Sequence, residues 1–413
     1  TERERAFSHA LESRYAENPP EDRRVLDEAY AKATGALVAQ RPDDLDARVF
    51  HAEALMDLQP WDYYDEKLAP KGNTAAVVSL LETVMKENPN HAGALHLYVH
   101  AVEASADPQR GVVAADRLRT LIPGSGHLVH MPAHIYARVG RWHDAVVANQ
   151  AAIAADNDYL ATCGPNAKGV YPLGYVPHNP HFLWFAASME GASKVAQDAA
   201  RTTAQRVNLP DLMRQPGFAG LQHYWMTPWF DNVRFGRWDE IRAVPNPAPD
   251  LPYVTAIWNY AQAMAAIRQG RMEDANTHYA ALSKLAADPI MPTLMVWDRY
   301  PLAHAANVAE RTVNAELALA RGDQAAAIAA LAEAVTIEDR IPYDEPPGWH
   351  SPVRQSLGAA LLVAGRAADA EKVYREELSR NPQNGWSLKG LALALRQQQK
   401  TEAAVAVEKQ LQA

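Results

Sequence analysis

Apolar positions recur at steps of three and four along most of this chain, and runs of alternating apolar and polar residues are scarce. Steps of three and four stay on one helical face, so the pattern predicts amphipathic helices rather than strands. One phrase keeps returning: an apolar-periodic helix, a glycine beside a basic or polar residue, an acidic residue, then an alanine-rich helix. It reads YARVGRWHDAVVANQAAIAAD at 136–156, VRFGRWDEIRAV at 233–244 and AAIRQGRMEDANTHYAALSKL at 265–285. It returns as LALARGDQAAAIAALAEAV at 317–335 and LLVAGRAADAEKVYREELSRNP at 361–382, with a weaker copy at 188–205. Gly140, Gly191, Gly236, Gly270, Gly322 and Gly365 each suit the left-handed residue that ends one helix before the next begins. The alanines that follow let paired helices approach closely.

The phrase resembles the tetratricopeptide repeat over most of the chain, with irregular spacing and insertions at 59–74, 157–177, 245–252 and 286–300. The resemblance implies an all-α solenoid, a right-handed superhelix of antiparallel helix pairs, running as a single unit over 1–413. It also implies that the first helix of each pair lines a concave groove. More narrowly, HLVHMPAHIYARVGRWHDAVVANQAAIAAD and NPNHAGALHLYVHAVEAS resemble a group of poorly characterised, histidine-rich bacterial proteins of this repeat class. That likeness implies a fold and no reaction.

Histidines give the groove its chemistry. His96 and His100 recur as His130 and His134, an offset of 34 residues that equals the period of such a repeat. Each pair is spaced i, i+4, so both rings of a pair point the same way. Counting back from the turn glycines gives the stripes His127, His130, His134, Ala137 and Gly93, His96, His100, Glu103. The next stripes are His178, His181, Phe185, Ser188 and His223, Met226, Phe230, Val233, and upstream lies Asp46, Val49, Glu53, Met56. Eight of the fifteen histidines fall on these stripes.

Clustered imidazoles serve as metal ligands, as acid–base groups or as cross-helix hydrogen-bonding residues. The first use is preferred, with His96, His100, His130, His134, His178 and His181 as ligands. Copper or zinc suits a histidine-dominated set without thiolates, and iron becomes plausible with one carboxylate. Glu53, Glu103, His127 and Tyr175 are the candidate catalytic groups, with the two glutamates also able to orient ligand rings. Trp61, Phe185, His223, Met226 and Phe230 are the candidate walls of a small-molecule pocket. The Gly/Pro-rich stretch TCGPNAKGVYPLGYVPHNPHF at 162–182 leads into His178 and His181, and its 162–177 part is read as a mobile cover that delivers Tyr171 and Tyr175 over the histidines.

Composition narrows the classes. A formal net charge of -9, with no basic block, argues against nucleic acid as the main partner. No run of eighteen apolar residues suggests a membrane span. One cysteine, Cys163, excludes an internal disulfide and a thiolate metal cluster. No His-Glu-x-x-His, no phosphate-loop motif and no Gly-x-Ser-x-Gly occurs, so a thermolysin-like protease, a nucleotide cofactor and a serine hydrolase lack support. The chain starts at Thr1 without methionine, so a segment removed upstream is allowed for, and the cytoplasm is the favoured compartment.

The resulting expectation is a copper or zinc enzyme acting on a small aromatic or apolar molecule in the groove, leaning to oxidation, with a hydrolase or lyase as variant. The alternative class is a scaffold that grips a peptide or protein partner. Peptide clamps in this repeat class use lysine, arginine and asparagine on the stripe where histidines stand here.

Overall fold

A computed structural model describes residues 1–164, 169–215 and 217–412. The chain is all-α: twenty-two α-helices joined by short turns, with one two-stranded hairpin among the described residues. Successive helices fold back on one another as helix hairpins. The chain divides into two compact units, Thr1–Val139 and Gly140–Ala413. No helix among the described residues is long and apolar enough to cross a membrane.

The first unit carries α1 (Glu2–Glu12), α2 (Arg24–Gln40), α3 (Leu45–Asp57), α4 (Thr74–Glu87), α5 (Ala92–Glu103), α6 (Val112–Leu118), α7 (Gly126–His130) and α8 (Pro132–Val139). In α5 the apolar stripe Leu95, Tyr98, Val99 and Val102 is buried. Full burial of such side chains stabilises by roughly 2 kcal/mol each. The stripe one step round the helix carries His96, His100 and Glu103. His91 starts the helix, its Nδ1 accepting from the Ala94 amide at 3.3 Å. Pro132 cannot donate a backbone hydrogen bond, and it opens α8 directly after Met131.

The second unit carries α9 (Trp142–Cys163), α10 (Val176–Glu190), α11 (Ser193–Arg206), α12 (Gly220–Trp225), α13 (Thr227–Arg234) and α14 (Trp238–Arg242). It continues with α15 (Pro252–Arg268), α16 (Met272–Ala286), α17 (Ala303–Ala320), α18 (Gln324–Glu338), α19 (Val353–Val363), α20 (Ala367–Arg380), α21 (Gly385–Gln397) and α22 (Thr401–Gln412). The pairs α10–α11, α15–α16, α17–α18, α19–α20 and α21–α22 pack side by side. All six turn glycines picked out in the sequence take φ between 70° and 85°.

The insertions differ in kind. Residues 59–73 form an irregular loop in which Trp61 and Leu68 have positive φ. The interval 157–177 is largely helical rather than an open loop: α9 continues to Cys163, and a wide turn at Tyr171–Tyr175 leads into α10. Its central residues, 165–168, lie outside the described residues. Asp156, buried in α9, anchors the interval by accepting from Tyr171 Oη and Asn179 Nδ2, each at 2.7 Å. Residues 286–300 close with the hairpin β1 (Met295–Val296) and β2 (Tyr300–Pro301). Of the three residues between the paired Val296 and Tyr300, Trp297 and Asp298 have positive φ and the Arg299 amide closes the turn onto the Val296 carbonyl. Trp-Asp is not a usual pair for such a turn, so no hairpin was legible here.

Two glycines test the turn argument. An alanine at Gly322 meets open space, so its cost is the left-handed backbone alone, about 1–2 kcal/mol. At Gly140 an added Cβ also meets the Pro382 carbonyl oxygen at 2.6 Å. Chemical denaturation is expected to show a larger loss for Gly140→Ala than for Gly322→Ala, and the reverse order contradicts the account.

Candidate metal centre and aromatic cluster

The histidines of α5, α7 and α8 meet within the first unit. His96 Nε2 lies 3.0 Å from His127 Nε2. The ring of His96 stands 5.0 Å from that of His100, and His100 stands 5.4 Å from His134. Ligand nitrogens of His96, His100 and His127 all lie within 4.8 Å of one another.

Glu103 organises the group. Its carboxylate is 2% exposed, with His100 Nδ1 at 2.8 Å from one oxygen and His134 Nδ1 at 2.6 Å from the other. A carboxylate accepts only, so both Nδ1 atoms carry the proton. The Nε2 atom of each ring then holds a lone pair. For His134 that lone pair faces His130 Nε2 at 2.6 Å, so His130 donates to it.

Distance separates the two histidine contacts. Nitrogens bound to one zinc at about 2.0–2.1 Å stand roughly 2.9–3.4 Å apart, for angles between square and tetrahedral. The His96–His127 separation fits that range as well as a hydrogen bond, whereas the shorter His130–His134 separation suits a hydrogen bond alone. His96, His100 and His127 are therefore one candidate ligand group. His130, His134 and Glu103 form a hydrogen-bonded chain beside it. Burial, reinforced by the neighbouring His100 and His134, holds His96 down to about 3, so the ring is neutral and competent as a ligand at ordinary pH.

The remaining sequence candidates fall elsewhere. Glu53 sits in α3 with Asp57 and Arg14, and burial raises its carboxyl. This places it in a different network from Glu103. Trp61 is half exposed in its loop. Tyr175 stacks on Tyr171, which is tied to Asp156, so its ring belongs to the anchored turn before α10. Phe185 packs edge-on against Trp142 and Phe182 and serves the core between helices, not a pocket wall. Met226 is fully buried.

His178, His181, His223 and Phe230 belong to an aromatic cluster in the second unit. His178 meets the Phe182 ring, and His181 stacks on Trp184 with Tyr224 at its edge. His223 Nδ1 bonds the Tyr253 hydroxyl at 2.8 Å. Phe230 stacks on His350 at 4.6 Å, and His350 Nε2 meets the Tyr260 hydroxyl at 3.1 Å. The hairpin supports this cluster. Trp297 Nε1 donates to Tyr224 Oη at 3.0 Å, while Arg299 and Tyr300 hold Asp344 in the loop that presents Trp349 and His350. The aperiodic 341–352 loop left His350 unassigned in the sequence, and Tyr253, Tyr260 and Trp349 carried no motif.

Burial lowers His223 to about 4 and lowers His181 and His350 as well. Folded-state values below the ordinary 6.5 mean that stability is full above pH 6.5 and drains as pH falls toward 4. Each such group costs about 1.4 kcal/mol per pH unit in that window. Thermal melting is expected to fall steadily from pH 6.5 to 4, and His223→Gln, which keeps a partner for Tyr253, is expected to flatten the decline. A wild-type profile level across the window refutes this.

No family model matches the chain, and no curated protein matches it. Among solved structures, the human IFIT1 dimer with m7Gppp-AAAA is similar at 12% identity, covering 94% of this chain and 78% of that one, with a TM-score of 0.39. The P58(IPK) TPR domain is similar at 12% identity, covering 97% and 99%, with a TM-score of 0.25.

Proposed function

We propose that the protein is a helical-repeat scaffold whose N-terminal unit binds one transition-metal ion through Nε2 of His96, His100 and His127. The supporting observation is the 3.0 Å approach of the His96 and His127 nitrogens beside a His100 whose tautomer Glu103 fixes. A hydrogen-bonded carboxylate behind a ligand imidazole sets its orientation and raises its basicity. Three neutral nitrogens suit zinc or copper, and a three-ligand set leaves a further position for water or a small molecule. Of the two classes set out from sequence, the all-α repeat architecture favours binding. The oxidoreductase reading, with its hydrolase and lyase variants, depends wholly on this centre and stands second. A protein or peptide partner fits the architecture, while a small aromatic substrate rests on the rings of the second unit.

Protein purified without a histidine tag is expected to carry close to one equivalent of zinc or copper by elemental analysis. His96→Ala combined with His127→Ala is expected to remove it with helix content intact. Glu103→Gln is expected to weaken binding about 10–100-fold in a chelator competition, because it unfixes His100 and leaves the ligands in place. Metal content unaffected by the double substitution rules the assignment out.

A further inference from the structure

In the second unit, a cleft of about 470 Å³ is lined by residues of α13, α15 and α17, the 349–353 segment and Trp386. Its size is that of a small-molecule site. Trp238, Trp349, Trp386, Phe235 and Tyr260 give it flat apolar walls. Two cations face it, and they differ. Arg268 is paired with Glu316 at 2.8 Å. Arg234 is not paired in that way.

The Arg234 guanidinium lies 4.1 Å from the Trp386 ring centre, and its Nη1 donates to Gln355 Oε1 at 2.7 Å and to Ser351 Oγ. Its Nε and Nη2 are buried and have no hydrogen-bond partner among the described residues. These two nitrogens form one edge of the guanidinium, the fork that takes both oxygens of a carboxylate. His350 Nδ1, in a residue lining the same cleft, is likewise buried without a partner among the described residues. Burial lowers Arg234 to about 10, so it stays charged at neutral pH. Glu377 acts on it electrostatically, but burial lifts that carboxyl to about 7, leaving it a poor counter-ion. A buried cation with two idle donors is costly unless an anion completes it.

We infer that this cleft binds a small aromatic monocarboxylate, its carboxylate on the Nε–Nη2 edge of Arg234 and its ring between the indole walls. A single unpaired fork matches one negative charge. Glu316, which lines the same cleft, disfavours a phosphate dianion there. This inference is independent of the metal centre, since none of its residues lies in the first unit.

The test is calorimetric titration of the full chain with phenylacetate, with phenylacetamide as its neutral counterpart, and with inorganic phosphate. Phenylacetate is expected to bind once per chain, at least about tenfold more tightly than phenylacetamide. Arg234→Gln is expected to bring the two ligands to equal affinity, with Arg234→Lys, which lacks the fork, intermediate. Equal binding of acid and amide by the wild-type protein overturns the inference, as does phosphate binding more tightly than phenylacetate or no binding of phenylacetate at millimolar concentration. The acid–amide comparison needs no variant, so it decides the matter even if the Arg234 variants fail to fold.

Discussion

The first unit's chemistry hangs on one buried carboxylate. Glu103 is almost wholly removed from water, and a desolvated carboxylate needs donors on both oxygens. It finds them in the ring N–H groups of His100 and His134. That pairing fixes two tautomers, leaves the His100 lone pair on Nε2, and makes His134 the acceptor for His130. Arg138 donates from Nε to the Glu103 backbone carbonyl at 3.0 Å, tying α8 to the end of α5 at the same residue. Without the carboxylate, five imidazoles would share a space with no rule for which nitrogen carries a proton.

Much of this was legible because it is periodic. The recurring glycine phrase located the helix turns, and the six glycines take the backbone conformation it required. The 34-residue register brought His96, His100, His130 and His134 onto neighbouring helices of one unit. Which ring meets which was not legible. Register pairs His96 with His130, yet the closest partner of His96 is His127, whose equivalent one repeat earlier is Gly93. A contact between helices depends on their axial offset and on the tight turn at Met131–Pro132, and neither follows from spacing. The same limit moved Phe185 from an expected pocket wall into the core.

Loops hid the rest. Arg234 stands at a helix end and His350 in a proline-rich loop, where no period marks a face. Their nearness comes from the 341–352 loop, which the Arg299–Asp344 and Tyr300–Asp344 contacts hold in place. The β1–β2 insertion, read from sequence only as an interruption, sets Trp297 against Tyr224. Of the 162–177 interval, read as a mobile cover, Tyr171 is tied to the buried Asp156, which also holds Asn179 just beyond it.

The central claim is that a transition metal sits on three imidazoles of the first unit, and X-ray absorption at the metal edge of the metal-loaded protein tests it most directly. The account predicts about three imidazole nitrogens at roughly 2.0–2.1 Å, with outer-ring scattering that disappears in the His96→Ala, His127→Ala protein. A first shell of oxygen alone, or a spectrum unchanged by those substitutions, would contradict it.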